Sequence, residues 1–413
     1  MSSSSSRGLR AVVAAALLAA GLAVGGGAIA QESLRPEVGK PLQAAQELIK
    51  AGKYREALVK VREAEAAGAR NANETYLIER MRLAAASGAG DAETAARSYE
   101  ALSGSGRITG PEKLRMIESI AGSYYRAQQY AKSMQWSQRY LREGGTSPAI
   151  RTMLIQSQYL SGDYAGAIKE LTVEIQAAER AGSPPPEDRL KLLLNAASKQ
   201  NDNNAYVFAM EKLVTYYPKK EYWVDLLSRM QRKQNFSDRL SLDAYRLSLA
   251  TGSMSAPADY MEMAQLALQA DLASEGKQVI DKGMSSGALS TGAQADRAKR
   301  LKALVDKKLA AEAATRAEDE RQAVAAKSGD ALVSLGMNLV YAGQAQKGVQ
   351  MMQQGISKGG LKRPEDAKLH LGIAQLVAGD KAKAQATFKT VQGADGTADL
   401  ARLWALYARR GAA

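Results

Sequence analysis

The sequence contains no cysteine and a single histidine, His370. Without cysteine the chain forms no disulfide bond, no thiolate zinc site and no cysteine nucleophile. One histidine excludes any site that needs two imidazoles from the same chain. Phenylalanine occurs only three times, and the alternating runs of Val and Ile that are typical of strands are missing. These absences argue against thiol chemistry, histidine-rich metal sites and β-sheet folds.

The apolar residues are mostly Ala and Leu, both strong helix formers, so we expect a chain that is helical throughout. With 413 residues it exceeds a typical single domain, which predicts several domains or a repeat array. The formal net charge is +13. The Lys and Arg residues are scattered, which favours a generally basic surface over a dense patch that binds polyanions.

Residues 1–30 have the three regions of a secretory signal peptide. Arg7 and Arg10 form the positive start, residues 11–23 are apolar, and an A-x-A cleavage site ends at Ala30. The apolar stretch is too short and too rich in glycine for a membrane span. We expect cleavage after Ala30 and a periplasmic or secreted mature chain without a transmembrane segment.

One pattern recurs along the chain. It has an apolar helix face, a turn with Gly that Asp often follows, Ala about five residues after that Gly, and an apolar residue four beyond. The clearest copy joins residues 371–372 (Leu-Gly), residues 379–380 (Gly-Asp), Ala384 and Phe388. Successive copies are separated by roughly 33 to 39 residues, and one double step leaves room for an unrecognised copy. The residues at the alanine position are Ala57, Ala95, Ser133, Ala167, Tyr206, Arg239, Gly276, Gly348 and Ala384.

This pattern resembles the tetratricopeptide repeat (TPR), whose period is about 34 residues, and the resemblance covers nearly all of the chain after residue 30. It implies an all-α, TPR-like α-solenoid of about nine to ten helical hairpins, of the bacterial periplasmic or exported type. A single hairpin cannot bury its apolar face, so neighbouring hairpins must stack. The apolar positions of residues 400–407 predict a C-terminal capping helix.

The sequence predicts four parts: the signal peptide, an N-terminal TPR-like array over residues 31–292, a charged stretch over residues 293–328, and a C-terminal TPR pair with its capping helix over residues 329–413. The charged stretch lacks Gly and Pro and has a narrow apolar stripe. It is interpreted either as a degenerate repeat or as one long charged helix that separates two arrays or pairs with a second chain. A coiled coil is disfavoured because the stripe covers only a few turns.

Signatures of catalysis are missing from the sequence: there is no G-x-S-x-G, no H-E-x-x-H, no phosphate-binding G-x-x-x-x-G-K-[ST] and no calcium loop. The S-x-x-K match at residues 274–277 is expected by chance in a chain with this many Ser and Lys residues. We interpret His370 as a surface or packing residue. The expectation is a protein that is not an enzyme and that binds no cofactor or metal. An enzyme with an unrecognised catalytic site stays open as a further hypothesis, after the two binding functions given below.

In TPR proteins first-helix residues largely line the concave groove. Lys191 and Asn195 match the first pair of the carboxylate clamp of chaperone-binding TPR domains. Asp225, Ala258 and Glu262 stand where the remaining clamp residues would be, so we reject a full clamp. A polar, basic groove still suits a peptide carboxylate or an acidic segment. The candidate groove residues are Lys191, Asn195, Ser198, Lys199, Ser228, Gln231 and Arg232.

The leading hypothesis is an exported TPR scaffold that binds a protein or peptide partner in the cell envelope, and not nucleic acid. The alternative is a basic surface that binds polyanions or an anionic membrane, such as polysaccharide or lipid. The residues point to no particular oligomeric state.

Overall fold

The structure is a computed structural model that describes residues 34–409. Every regular element in this range is helical, as the composition predicts. The predicted signal peptide lies outside the described residues. No helix in the described range combines the length and the apolar character that crossing a membrane requires.

The described residues form two compact units. The first runs through Arg180 and includes Asn195–Asp202, and the second contains Ala181–Leu194 and the residues from Asn203 onward. One helix, Glu187–Gln200, contributes to both units. The four-part division inferred from the sequence stays a prediction.

The first unit is built from eight helices and the last part of a ninth. Successive helices pack in pairs, and each pair packs against the next. The helices are α1 (Pro36–Lys50), α2 (Tyr54–Glu65), α3 (Ala72–Ala89), α4 (Ala92–Gly104), α5 (Gly110–Arg126), α6 (Tyr130–Arg142), α7 (Pro148–Ser161), α8 (Tyr164–Arg180) and α9 (Glu187–Gln200).

The second unit continues the same pattern, with a single 3₁₀ turn, Asp238–Leu240, before its third helix. The pairs α11/α12, α13/α14, α16/α17 and α18/α19 pack as hairpins. Its helices are α10 (Asn203–Tyr216), α11 (Lys220–Gln231), α12 (Ser241–Thr251), α13 (Pro257–Gln269), α14 (Ala273–Ser285), α15 (Ala293–Ala325), α16 (Asp330–Tyr341), α17 (Ala345–Lys358), α18 (Pro364–Val377), α19 (Lys381–Phe388) and α20 (Thr397–Arg409).

Small residues let the two helices of a hairpin approach closely. A Cβ atom on Gly336 would lie 2.7 Å from the carbonyl oxygen of Gly348, and one on Gly372 would overlap the ring of Phe388. The alanines at the repeat positions are fully buried, namely Ala57, Ala95, Ala167 and Ala384. This packing confirms the predicted all-α, TPR-like solenoid.

The charged stretch forms one uninterrupted helix of 33 residues, α15. It packs against α13, α14 and α16 through buried residues that include Ala298 and Val305. Leu304 and Val324 are exposed. These residues therefore form a single helix rather than the two helices of a hairpin.

The predicted C-terminal helix, α20, packs on α18 and α19. It also returns to α10 and α12 at the other end of the same unit. Arg239 lies in the 3₁₀ turn, where it makes ion pairs instead of a small-residue contact. The second unit therefore closes on itself, and we call this set of contacts the closing seam. In the seam, Lys233 pairs with Asp399 at 2.7 Å, and Arg239 pairs with Asp366 and Asp395 at 2.8 Å. The Ser237 amide also donates to the Asp395 carbonyl.

Candidate binding surfaces

Two tyrosine hydroxyls hold two side-chain amides on the first unit. Tyr125, near the end of α5, donates to Gln156 Oε1 on α7 at 2.9 Å. Tyr159 on α7 donates in the same way to Asn195 Oδ1 on α9 at 2.9 Å. Since the hydroxyl takes the amide oxygen in each case, the NH₂ group is left to donate elsewhere. Both amides are exposed, so successive hairpins offer equivalent donors to a ligand.

The same tyrosines pack edge-to-face on the tyrosine that begins the following helix. The ring centroids are 5.6 Å apart for Tyr125 and Tyr130, and 5.5 Å apart for Tyr159 and Tyr164. Lys199 Nζ lies 5.7 Å from the centre of the Tyr164 ring. We call this surface the tyrosine–amide face; it comprises Tyr125, Tyr130, Gln156, Tyr159, Tyr164, Asn195 and Lys199.

The chemistry of Tyr125 suits a hydrogen-bond donor. Partial burial raises the pKa of its hydroxyl above the ordinary value, and the neighbouring Tyr130 adds to this shift. The hydroxyl therefore keeps its proton at neutral pH and holds the Gln156 amide in one orientation.

The predicted groove residues fall in both units. Asn195, Ser198 and Lys199 belong to the first unit and are exposed on the last part of α9. Asn195 and Lys199 contribute to the tyrosine–amide face, and Ser198 lies beside them on the helix. The groove as a set of seven residues stays a prediction, and its members are described unit by unit.

Lys191 lies in the second unit and is already paired. Its Nζ is 2.9 Å from Glu187, which also pairs with Lys219 at 2.6 Å and accepts a hydrogen bond from the Tyr222 hydroxyl. Hydrogen bonds from Lys219, Tyr222 and Lys191 lower the pKa of Glu187 to about 2. Glu187 therefore stays ionised at neutral pH, so Lys191 already has an anionic partner.

The remaining groove residues lie at the end of α11. Arg232 Nη2 donates to Ser228 Oγ at 2.5 Å, and Gln231 is exposed. The structure therefore brings Ser228 and Arg232 into contact.

A buried ionic cluster lies in the second unit. Arg246 on α12 donates from Nε and Nη2 to the two carboxylate oxygens of Glu275 at 2.7 and 2.6 Å, and from Nη1 to Asp243 at 2.6 Å. His370 Nε2 lies 2.9 Å from Asp243. The side chains of Arg246, Glu275 and Asp243 are only 2%, 1% and 5% exposed. Sequence reasoning missed this cluster and interpreted His370 as a surface or packing residue.

The neighbouring positive groups keep the buried Asp243 carboxyl ionised. Burial opposes ionisation of Asp243, but His370 and Arg246 outweigh it and hold the pKa of this carboxyl well below its usual range. Burial raises the pKa of the Tyr341 hydroxyl, whose ring centre is 5.9 Å from the Arg246 guanidinium. The cluster therefore links α12, α14, α16 and α18 through charge-assisted contacts.

Beside the cluster is a cavity of about 260 Å³, which we call the inner cavity. Arg246, Glu275, Gln278 and Tyr341 form its polar side. The rest of the lining is mainly apolar and includes Leu249, Met263, Val279, Ile373, Leu376, Val377, Trp404 and Tyr407. Apolar walls with a few polar groups are typical of small-molecule sites.

Within residues 34–409 no three His, Asp or Glu side chains are placed so that they could hold a metal ion together. In the ionic cluster, the Arg246 guanidinium occupies the position between the two carboxylates. The cluster is therefore built around a fixed cation that belongs to the chain itself.

No protein-family model matches the sequence, and no curated protein matches it. In contrast, 64 chains of solved structures do match. Among them, the crystal structure of the yeast Tom70 is 11% identical, with coverage of 90% of this chain and 95% of that chain, and a TM-score of 0.23. A likeness at this score carries no weight for the fold or the function.

Proposed function

We propose that the chain is an exported, non-catalytic TPR scaffold that binds an extended segment of a protein partner in the cell envelope. The observation that carries this proposal is the repeated tyrosine–amide pair on successive hairpins of the first unit. Each pair presents an exposed NH₂ group whose orientation a tyrosine hydroxyl fixes.

An extended peptide matches this arrangement because its backbone carbonyls are free to accept hydrogen bonds. In a helical segment most of those carbonyls already accept from the helix itself. The tyrosine rings add rigid apolar contact area, and Tyr is common at protein interfaces for this reason. Lys199, at the edge of the face, favours an acidic residue in the bound segment.

Export is supported by the three-region pattern of residues 1–30. Mass spectrometry of the protein purified from its native host checks this part separately. We expect a mature N-terminus at Gln31. A chain that retains residues 1–30 would contradict export and leave the peptide-binding proposal standing.

The binding proposal is tested by removing both amides. Partners are captured by crosslinking in the native envelope, and overlapping peptides from a captured partner are titrated against the purified chain. Gln156→Ala with Asn195→Ala should weaken the best peptide by roughly 10- to 100-fold, because each neutral hydrogen bond contributes about 0.5–1.5 kcal/mol.

The matched control is Gln353→Ala, which removes an exposed amide from the second unit, outside both the tyrosine–amide face and the predicted groove. It should leave the affinity of the same peptide unchanged. Equal affinities for the wild type and the double variant, or an equal loss in the control, would refute binding at the tyrosine–amide face.

A second candidate function rests on α15. Arg297, Arg300 and Lys307 are exposed there, and no ion pair of theirs is found among the described residues. This basic surface favours a polyanion such as an acidic polysaccharide. With heparin as the probe, the binding affinity should then fall steeply between about 50 and 200 mM salt, because binding to a polyanion releases counterions. An affinity that does not depend on salt would exclude this function.

A further inference from the structure

The tyrosine–amide face presents mainly hydrogen-bond donors to solvent. The side-chain oxygens of Gln156 and Asn195 already accept from tyrosine hydroxyls at 2.9 Å, and their NH₂ groups are left to donate. The exposed ammonium of Lys199 is also a donor and never an acceptor. An ordinary extended segment brings one backbone N–H for each carbonyl. Its carbonyls find donors on this face, whereas its N–H groups find few acceptors.

Proline removes this mismatch. It has no backbone N–H, and its carbonyl still accepts hydrogen bonds. A proline-rich segment adopts the polyproline II conformation, which has no internal hydrogen bonds and leaves every carbonyl accessible. The fixed φ of proline also reduces the conformational freedom that the segment loses on binding. The donors of the face therefore suit a proline-rich segment better than an extended segment in general.

The tyrosine rings supply a surface on which proline can pack. Tyr125 packs edge-to-face on Tyr130, and Tyr159 packs in the same way on Tyr164. All four are half-buried, so part of each ring is open to solvent. Tyr130 also borders an open depression of about 400 Å³ that reaches Ser161 at the end of α7. Grooves lined by aromatic side chains are a recurring way to bind polyproline II segments.

The spacing of the hairpins fits the repeat of this conformation. The Tyr125 hydroxyl bridges α5 to α7, and the Tyr159 hydroxyl bridges α7 to α9, so the three helices lie side by side. The axes of packed helices are about 8–10 Å apart. A polyproline II helix rises about 9 Å per turn of three residues. Residues three apart in such a segment therefore meet equivalent tyrosine–amide pairs on neighbouring hairpins.

We propose that the tyrosine–amide face binds a proline-rich segment in the polyproline II conformation, with prolines three residues apart on successive tyrosine pairs. This inference rests on the proposed function and names the class of its partner. The NH₂ groups of Gln156 and Asn195 donate to carbonyls of the segment, and Lys199 pairs with an acidic residue at one end of it.

Three nine-residue peptides, each with one glutamate added at either end, test the inference. The first has proline at every third position and serine elsewhere. The second has the same composition with the prolines at irregular spacing, and the third has alanine in place of each proline. Fluorescence polarisation measures their dissociation constants from the mature chain. We expect the first peptide to bind about tenfold more tightly than either of the others, because it is already in the bound conformation and in register with the face.

Tyr130→Leu with Tyr164→Leu removes one ring from each tyrosine pair and keeps an apolar side chain, so the preference for the first peptide should disappear. The matched control is Tyr54→Leu, because Tyr54 also begins the second helix of a hairpin in the first unit but lies outside the face. It should leave all three constants unchanged. Circular dichroism and Tm verify that each variant is folded. If the double variant fails to fold, the three peptides on the wild type still decide the question.

Several results would overturn the inference. If the proline and alanine peptides bind equally, and Gln156→Ala with Asn195→Ala weakens both, the face binds extended peptides without a preference for proline and only the further inference fails. Equal binding of the regular and irregular proline peptides would refute the match between the hairpins and the three-residue turn. Absence of binding by all three peptides would also overturn the inference, and the proposed function would then be judged by the peptides of the captured partner.

Discussion

Replacing Arg246 by methionine should strongly destabilise the second unit. The substitution removes the cation that two buried carboxylates share, and it leaves an unbranched side chain about as long as the apolar stem of arginine. Glu275 would lose its two hydrogen bonds to the guanidinium, whereas Asp243 would keep His370 as a partner. The stranded charge on Glu275 is therefore the main cost.

The magnitude follows from burial. Removing one partner of a buried ion pair typically costs about 3–5 kcal/mol, because the other charge stays away from water without compensation. Adding Glu275→Gln to Arg246→Met removes the stranded charge. Since well-packed neutral groups often replace a buried pair at little cost, the double variant should be more stable than the single one.

Urea unfolding followed by tryptophan fluorescence measures the effect. Trp223 and Trp404 lie in the second unit, and Trp136 lies in the first. In a Trp136→Phe background the signal reports on the second unit alone, and linear extrapolation gives its free energy of unfolding. The control is Arg321→Met, because the ion pair of Arg321 is exposed and should contribute less than about 1 kcal/mol.

Two results would refute this reasoning. One is a loss in Arg246→Met no larger than that in the control. The other is a double variant that is no more stable than the single variant, since the cost would then come from lost packing rather than from an unpaired carboxylate.

Two further perturbations test the packing and the charges. Gly336→Ala places a Cβ 2.7 Å from the carbonyl oxygen of Gly348. It should lower the stability measured by thermal denaturation by about 1–3 kcal/mol. Gly104→Ala, whose Cβ meets no atom within 4 Å, should not lower it, and equal effects of the two substitutions would contradict the close approach. Arg35 lowers the pKa of Glu74 to about 2 from the usual 4.5. A carboxyl with a depressed folded-state pKa adds stability above pH 4.5, and this stability is lost as the pH falls toward 2. Over this range the urea midpoint of the first unit should therefore fall less steeply in Glu74→Gln than in the wild type. Parallel curves of midpoint against pH would exclude this contribution.

The repeat was predictable because its determinants are local. Gly372, Ala384 and Phe388 are close in sequence and meet within one hairpin, so their spacing alone indicates the packing. Arg239 shows the limit of this approach. It occupies a repeat position by counting, but the chain forms a 3₁₀ turn there and the side chain pairs with residues far along the sequence.

The ionic cluster was not predictable because its determinants are not local. Asp243 and Arg246 are spaced for one helix face, but a pair at this spacing is usually a solvated surface pair. Its burial depends on Glu275 and His370, which tertiary packing alone brings to it. The tyrosine–amide pairs lie between these cases, since regular Tyr spacing hints at them and only the fold places Gln156 and Asn195 opposite the hydroxyls.

The closing seam changes how the second unit should fold and how it tolerates truncation. In an open array each hairpin contacts only its neighbours, so unfolding can spread from an end and terminal repeats can be lost one at a time. Here Lys233 contacts Asp399, 166 residues away along the chain. Contacts this distant slow folding, because a long loop must close before they form. Because the seam joins α20 to α10 and α12, we expect the unit to unfold in one cooperative step and deletion of α20 to weaken the whole unit rather than its last hairpin alone.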